Sequence, residues 1–303
     1  MRNSNHRRFV TYFDGYSQSI MDNVEGQFNI ARSKAAYAAT PRQFSFYTII
    51  SIEKGHGIYH ADFNKFPFEG PVMLFSTPFQ QIYVEADPSL DIVLLQFHGD
   101  FYCIEFHRAE VSCNGLLFNN CYIEPAVNMT PQEFVIFQHL LRDIELENQA
   151  TEVNETVIRA YLQIWLAKAS AIKIRMLENK EMKEADLLME QFRQLVDKHF
   201  LTLHRPGDYA ALLNISPNIL TKRAARYFGK TPSQLISEKV ILEAKRQLHL
   251  TRSSIKEIAY RLNFQDEFYF SRVFKKFTKV SPQTFRDKTG ISIVTGAING
   301  DPF

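Results

Sequence analysis

The chain has 303 residues, of which 45% are hydrophobic and 22% charged, and it carries 35 Lys and Arg against 33 Asp and Glu. This composition is that of a globular protein of one or two domains and excludes wholesale disorder. Every apolar run is far shorter than the ~18 residues that a membrane span requires, and residues 1–8 are charged with no apolar stretch behind them. The sequence therefore predicts neither a membrane span nor a signal peptide.

The charge is unevenly distributed along the chain. Residues 1–200 hold 18 basic and 25 acidic side chains, whereas residues 201–290 hold 17 basic and 7 acidic ones. The first part has a net charge of −7 and the second a net charge of +10. Such asymmetry is typical of a polyanion-binding module joined to a different domain. A solvated basic face without a partner is the alternative.

Residues 1–40 have no clear pattern, and the chain from about residue 44 to residue 122 is predicted to be β. Short runs rich in β-branched and aromatic residues alternate there with Gly and Pro, at residues 44–50, 72–75, 81–84 and 91–97. Evenly spaced short strands with turn signals predict an all-β sandwich or small barrel.

The periodicity then becomes helical. Thr130 and Pro131 predict a helix start, and a second helix is predicted from about residue 152 to residue 177. Its wide apolar stripe comprises Val153, Val157, Ile158, Tyr161, Leu162, Trp165, Ala169, Ile172 and Met176. This stripe must be buried, either on the β-domain or on the helix of a partner copy. We expect both kinds of packing, and therefore a homodimer. The polar residues 178–184 are predicted to be a linker.

The C-terminal third contains an internal repeat. Residues 213–216 correspond to residues 262–265 at an offset of 49, and residues 220–222 and 231–233 correspond to residues 270–272 and 281–283 at an offset of 50. A recurring segment of this length indicates one supersecondary unit present twice. Each copy is predicted to be a helix, a tight turn and a second helix.

The start and stop signals support this prediction. Asn214 and Asn263 tolerate the left-handed backbone of a tight turn. Ser216 and Asp266 are predicted N-caps. The remaining signals are the capping box Ser254 and Glu257, the helix stop at Gly229, and a spacer helix from Thr231 to Leu248 with the stripe Ile236, Val240, Ala244 and Leu248.

The second helix of each copy is predicted to be basic on its free side. The residues expected inside are Ile219, Leu220, Ala224 and Phe228 in copy one and Tyr269, Phe270, Val273, Phe274 and Phe277 in copy two. The residues expected to face DNA are Ser216, Asn218, Thr221, Lys222, Arg223, Arg226, Glu267, Phe268, Ser271, Arg272, Lys275 and Lys276, with Lys279 also exposed. A helix of this kind fits the major groove.

Residues 255–259, 262–264, 269–276 and 280–286 resemble the signature of the AraC/XylS family of transcription regulators. The resemblance implies a seven-helix DNA-binding domain over residues 185–290. By position, it implies that Asn218 and Lys222 in the first reading helix and Glu267, Phe268 and Arg272 in the second face bases. The sequence departs from the family where Asn214, Asn263 and Lys279 replace a frequent Gly, and where Val240 replaces a basic residue.

By architecture alone, residues 1–177 resemble the cupin-like effector-binding and dimerisation domain that many members of the family carry. The expected fold is therefore α+β and multidomain, with residues 178–184 as linker and residues 291–303 as tail. The expected partners are double-stranded DNA, a second copy, an unidentified small-molecule effector and RNA polymerase. No membrane, cofactor, metal or catalytic residue is expected, and the effector-binding residues are not assigned.

Three other functions remain as alternatives. A cupin-type enzyme with an appended DNA-binding module needs a metal site, but His56 and His60 are four residues apart and His98 and His107 lie beyond, which is not the His-x-His pattern; His98 is predicted to be an interior or rim residue. A DNA-repair alkyl acceptor needs a reactive cysteine beside basic residues, yet Cys103 lies in the apolar, strand-like segment 101–105. Cys103, Cys113 and Cys121 form no C-x-x-C pair, which argues against a zinc, redox or disulfide motif, and they are predicted to be free thiols in a reducing cytoplasm. The third is a non-catalytic protein-interaction module.

Overall fold

The fold is taken from a computed structural model. It describes residues 10–12, 27–62, 64–102, 116–118, 122–148, 150, 152–184 and 186–290. The predictions for the three cysteines, for His107, for residues 1–8 and for residues 291–303 fall outside the described residues.

The N-terminal part consists of two sheets. The six-stranded sheet has the order β1-β2-β9-β4-β7-β10, and the four-stranded sheet has the order β3-β8-β5-β6. All neighbouring strands are antiparallel except β1 and β2. The strands are β1 Val10–Tyr12, β2 Phe28–Lys34, β3 Arg42–Gln43, β4 Tyr47–Ile52, β5 His56–Ala61, β6 Asn64–Glu69, β7 Val72–Ser76, β8 Gln81–Ala86, β9 Asp91–Phe97 and β10 Ala126–Asn128, with a short helix α1 Ala35–Ala38 after β2.

The four strands predicted from β-branched and aromatic runs are confirmed as β4, β7, β8 and β9. No strand was predicted at β2. Its last residues, Ala-Arg-Ser-Lys, are mostly polar, so the alternation that marks a strand is weak although its first residues are buried. The strands β5 and β6, which contain His, Gly, Lys and Pro, lie within the segment predicted to be β, but their positions were not predicted individually. β6 is the edge strand of the small sheet, with β5 between it and β8, and Pro67 is tolerated in β6 because an edge strand has unpaired backbone groups.

Alternation along the strands creates two apolar layers. Ile50 and Ile52 of β4 face the small sheet and belong to the core between the sheets, whereas Ile49 belongs to the core on the opposite face of the large sheet. Successive side chains of a strand point to opposite faces, so one sheet supports both layers.

Two long helices, α2 Pro131–Asn148 and α3 Glu155–Glu184, cover that opposite face. Thr130 and Glu133 form a reciprocal cap at the start of α2, which confirms the predicted helix start. The central positions of the predicted α3 stripe are buried on the β-domain, namely Ile158, Leu162, Trp165, Ala169 and Ile172. Of the two burial partners expected from the sequence, the structure shows the β-domain.

The predicted end of α3 at residue 177 is wrong, because the helix continues through the polar residues 178–184. A polar composition is typical of linkers, but Glu, Lys and Met are also good helix formers. The next helix starts after Asp186, whose carboxylate accepts hydrogen bonds from the backbone N–H groups of Leu188 and Met189. The boundary between the domains at this segment stays a prediction.

The C-terminal part is entirely helical among the residues described. Its helices are α4 Leu187–His199, α5 Pro206–Leu212, α6 Pro217–Phe228, α7 Pro232–Leu250, α8 Ile255–Arg261, α9 Glu267–Thr278 and α10 Pro282–Thr289. The spacer α7 begins with a capping box between Thr231 and Gln234, and its predicted stripe is buried. The expected α+β layout, a β-rich part followed by helices, is confirmed. None of the described helices is long and apolar enough to cross a membrane.

Candidate nucleic-acid interface

The two copies of the repeat form the same hydrogen-bonded turn. In the first copy the N–H of Ile215 donates to the carbonyl of Ala210 at 3.0 Å, and in the second the N–H of Phe264 donates to the carbonyl of Ala259 at 2.9 Å. These pairs are related by the offset of 49 read from the sequence. Asn214 and Asn263 adopt φ of 54° and 60°, so both turns use the left-handed backbone that the Asn residues were predicted to supply.

The second helix of each copy starts with the predicted cap. The hydroxyl of Ser216 accepts from the N–H of Ile219, and the carboxylate of Asp266 accepts from the N–H groups of Phe268 and Tyr269. The capping box of Ser254 and Glu257, at the start of α8, is also present. These side chains satisfy backbone donors that have no partner inside the helix, and they fix where α6, α8 and α9 begin.

Equivalent positions hold both reading helices against the domain core. Leu220 and Ala224 of α6 are fully buried, and so are Phe270 and Phe274 of α9 at an offset of 50. Phe264 packs its ring against Phe270 with 5.2 Å between centroids. Truncating a buried Phe to Ala costs about 3–5 kcal/mol, so these positions fix the orientation of the outer face.

Two residues predicted to point inward lie outside instead. Ile219 is 47% exposed and Tyr269 is 52% exposed. They occupy equivalent positions, each one residue before a fully buried residue, and the buried stripe is narrower than the spacing suggested. Both therefore belong to the outer face, where the sequence interpretation had not placed them. Alignment of the two copies would have identified these two residues, because each lies between a predicted base-facing residue and a core residue.

The outer face of α6 holds most of the residues predicted there. Asn218, Thr221, Lys222 and Arg226 are exposed. Lys222 and Arg226 have no carboxylate partner among the residues that the structure describes.

Three predicted DNA-facing residues of this copy have partners within the protein. Arg223 is exposed, but its guanidinium donates to both oxygens of Asp186 at 2.8 and 3.0 Å. The Ser216 hydroxyl is used as a cap. Thr221 donates its hydroxyl to the carbonyl of Pro217, which leaves its methyl group and oxygen lone pairs for a ligand.

The outer face of α9 is basic and aromatic. Phe268 is 69% exposed, and the guanidinium of Arg272 lies 5.7 Å from the centre of the Tyr269 ring. Lys275 and Lys276 are exposed, and no carboxylate pairs with either of them within the described part of the chain. The two remaining predicted residues, Glu267 and Ser271, are half-buried.

One departure from the family signature places a residue other than glycine in a strained, left-handed backbone conformation. Lys279 ends α9 with φ of 64°, at the position where Gly229 ends α6 with φ of 68°. A side chain disfavours this conformation by about 1–2 kcal/mol, so Lys279 is held there by the surrounding helices.

The histidines weighed as metal ligands have other partners. His60 is buried, with its Nε2 3.0 Å from a carboxylate oxygen of Glu85, and its ring stacks on Tyr83. His98 places its Nε2 3.1 Å from the carbonyl of Lys288. Within the described ranges, no group of three or more His, Cys, Asp and Glu side chains could hold a metal ion.

Comparison with known sequences matches the same segment. Residues 209–288 match a family model described as a helix-turn-helix domain. The transcriptional activator RhaR of Cronobacter sakazakii is 27% identical over 210 residues, which are 66% of this chain and 70% of that protein. The arabinose operon regulatory protein of Salmonella typhimurium is 34% identical over 95 residues, which are 30% of this chain and 31% of that protein.

Other similarities are more limited. The chain matches 30% of the length of the raffinose operon regulatory protein RafR of Pediococcus pentosaceus and 55% of the activator RhaS of an Enterobacter strain. Among solved structures, the C-terminal domain of AraT from Geobacillus stearothermophilus is 30% identical and matches 38% of this chain and 95% of that domain, with a TM-score of 0.35. ToxT from Vibrio cholerae is 14% identical and matches 87% of this chain and 99% of that one, with a TM-score of 0.39.

The repeated turn, the caps and the matched segment coincide. The named relatives are regulators of transcription. The C-terminal part of this chain is therefore a helix-turn-helix domain of the AraC/XylS family of transcription regulators.

Proposed function

We propose that the protein is a sequence-specific transcription regulator whose helices α6 and α9 enter successive major grooves of one duplex. The observation that carries this proposal is the equivalence of the two units, which share their turn hydrogen bond and buried positions and each present cations without a carboxylate partner among the described residues. A helix of this size fits the major groove, and reading helices one turn of DNA apart need a separation of about 34 Å. The rigid α7 between them supplies a fixed separation.

The residues divide into two roles. Asn218, Lys222 and Arg272 are the candidates for hydrogen bonds with base edges, since Asn suits adenine and Lys or Arg suits guanine. Phe268, highly exposed, suits the methyl group of thymine. The phosphate contacts are assigned to Arg226, Ser271, Lys275 and Lys276, and Glu267 is assigned to cytosine.

A direct test uses duplexes selected by the full-length protein from a random pool. Lys222→Ala and Arg272→Ala are expected to weaken binding to the selected site by about tenfold or more, since one bidentate base contact is worth about 1–3 kcal/mol. Lys168→Gln removes an exposed cation from α3 and is the matched control, with unchanged affinity expected. If both alanine variants bound the selected site as tightly as the parent protein, α6 and α9 would not be the reading helices.

The β-domain contacts the DNA-binding domain, which supports control by an effector. Gln43 donates its side-chain amide to the carbonyls of Phe79 and Thr278, both at 3.1 Å, and Phe79 packs on Phe285 with 5.5 Å between ring centres. Thr278 is the last residue of α9, so this contact reaches the far end of a reading helix while leaving its start exposed.

The same contact buries charge. Lys245 of α7 is half-buried, with its ammonium 3.4 Å from the Thr77 hydroxyl and from the Pro78 carbonyl. Burial lowers the pKa of Lys245, and burial raises the pKa of Asp62, which faces it. Charged groups are costly to remove from water. This cost reduces the stability of the arrangement in which the two domains are in contact, so an arrangement in which they are separated can compete with it.

We infer that an effector acts by population shift between these arrangements. A ligand changes DNA occupancy only if it binds one arrangement more tightly than the other. Gln43→Ala removes the hydrogen bond to Thr278 across the contact and the one to Phe79 within the β-domain, and we expect a several-fold change in DNA affinity with the fold intact. Unchanged DNA affinity, with and without bound effector, would contradict coupling through this contact.

A homodimer through α2 and α3 is part of the proposal. Val135, Ile136 and Ile164 are exposed apolar residues on these helices. Sedimentation equilibrium of the parent protein and of the triple variant with Ser at these positions tests it. A monomeric parent protein at the concentration that saturates DNA would contradict the dimer. Contact with RNA polymerase is expected from the family resemblance alone.

A further inference from the structure

The space between the two sheets is filled by protein side chains. Ile50, Ile52, Leu74, Val84 and Leu94 are essentially inaccessible to solvent there. Tyr59 crosses this layer and donates its hydroxyl to the carbonyl of Phe75 on the large sheet. A ligand in this layer would have to displace close-packed side chains, so the opposite face of the large sheet is the better place for an effector.

A cavity of about 570 Å³ lies on that face, between β4, β9 and the helices α2 and α3. Its apolar wall is formed by residues of the large sheet and of the two helices, namely Ile49, Val93, Leu95, Phe137, Leu141 and Trp165. The volume is within the range of about 300–1,000 Å³ that small-molecule sites occupy. Strand alternation explains the position, because Ile49, Val93 and Leu95 point away from the filled layer.

The carboxylates around this cavity already have partners. Arg32 donates three hydrogen bonds of 2.9–3.1 Å to Glu145, which is 7% exposed. Glu53 accepts from the side-chain amide of Gln138 at 3.2 Å, and Asp91 pairs with Lys34.

Two donors that line the cavity have no acceptor among the described residues. Arg142 is an exposed cation without a hydrogen bond or ion pair to any residue that the structure describes. The indole N–H of Trp165 has no hydrogen-bond partner there either, although the side chain is only 2% exposed. A buried donor without an acceptor is unfavourable, and such groups call for an explanation such as a missing ligand or water.

We propose that this cavity binds a small organic carboxylate with an aromatic or aliphatic body. The body fills the space against Val93, Leu95 and the Trp165 ring, and the carboxylate lies beside Arg142 at the mouth. An anion is attracted to the Arg142 guanidinium, whereas a cation would be repelled by it. This inference rests on the proposed function in one respect: the proposed function includes an effector, and the inference assigns that effector a chemical class and a binding site.

The position of the cavity suggests how a ligand would act. Its walls join the sheet to α2 and α3, the helices proposed to form the dimer. A ligand that fills the cavity holds α2 at a defined distance from β9, and it therefore favours one arrangement of the helical pair.

Trp165 makes the test specific, because the chain contains one tryptophan. The full-length protein is titrated with phenylacetate, with octanoate and with the uncharged phenylacetamide while tryptophan emission is recorded, and thermal unfolding provides a second readout. At least one carboxylate is expected to change the emission saturably and raise the melting temperature, and phenylacetamide is expected to bind at least tenfold more weakly than phenylacetate.

Two variants and one control locate the site. Arg142→Gln is expected to weaken carboxylate binding at least tenfold, and Val93→Phe is expected to abolish binding by filling the cavity. Lys168→Gln also removes an exposed cation from the same helical pair and is expected to bind as the parent protein does. Because Val93→Phe risks disturbing the sheet, Arg142→Gln decides the outcome if the Phe variant melts early.

The results separate this inference from the proposed function. If no carboxylate changes the emission or the melting temperature, or if Arg142→Gln binds as tightly as Lys168→Gln, the carboxylate site is wrong. The regulator proposal is then judged by the DNA-binding variants alone. If carboxylates bind at Arg142 but leave DNA affinity unchanged, the site stands and its role as the effector site is overturned.

Discussion

Gly229 and Lys279 occupy equivalent positions at the ends of α6 and α9, and both adopt a left-handed backbone, with φ of 68° and 64°. Only glycine adopts this conformation without a steric penalty. A Cβ at Gly229 would meet no heavy atom within 4 Å, so the penalty there is one of backbone conformation alone.

These two positions give a paired prediction. Lys279→Gly is expected to raise the free energy of unfolding by up to about 1 kcal/mol, and Gly229→Ala is expected to lower it by about 1–2 kcal/mol. Urea unfolding of both variants measures these changes. Equal effects of the same sign would show that φ is not the cause.

Asp186 caps α4 and also holds Arg223 of α6. Asp186→Ala is expected to destabilise by about 1–2 kcal/mol, because it removes both the cap and the ion pair. Asp186→Asn preserves the cap and is expected to cost less than about 1 kcal/mol, the size of an exposed ion pair. Thermal or urea unfolding compares the two, and an Asn variant as unstable as the Ala variant would assign the whole effect to the ion pair.

Lys275 and Lys276 are predicted to contact phosphates rather than bases. Lys275→Gln and Lys276→Gln are each expected to weaken specific and non-specific DNA binding alike, and to reduce the slope of log affinity against log salt by about 0.9 for each lost contact. Binding titrations at several salt concentrations measure the slope. A variant that changed site preference but kept the parent slope would place that lysine at a base.

His249 at the end of α7 makes stability depend on pH. Burial lowers its pKa from 6.5, and the ring lies against the carbonyl of Thr289. The unfolded chain therefore binds a proton more readily than the folded one, so stability is fully present above about pH 6.5 and falls as the pH drops below it, by up to about 1.4 kcal/mol per pH unit.

Urea unfolding between about pH 5 and about pH 7.5, a range that brackets the ordinary histidine pKa, tests this effect. His249→Gln is expected to flatten the dependence relative to the parent protein. His56→Gln changes an exposed histidine on β5 and is the control. If the Gln variant at residue 249 kept the full dependence, another group would be responsible.

The repeat was predictable because its signals are local. The bonds that define each turn, such as Ile215 to Ala210, join residues five apart, and the caps at Ser216 and Asp266 act within three residues. The prediction failed at the edges of the pattern. The spacing identified Leu220 and Phe270 as core, but it could not say how wide the buried face is, so Ile219 and Tyr269 were placed wrongly.

In the N-terminal part, the strands that could be located individually are those rich in β-branched and aromatic residues. β4 and β7 are buried on both faces and are therefore almost wholly apolar, whereas the edge strand β6 and the exposed start of β5 carry polar residues. The polar end of α3 was predicted as a linker for the same reason, since composition alone does not distinguish a solvated helix from a loop.

The amino-acid order alone determined that the chain ends in two similar basic helix-turn-helix units, because caps, turns and helical periods are set within a few residues. Only the tertiary structure decided that Gln43 bridges to Thr278, 235 residues away, and that β4 and β9 enclose a cavity with Arg142 and Trp165. Such contacts depend on how whole layers pack, and the distance between two layers cannot be predicted from a short stretch of sequence.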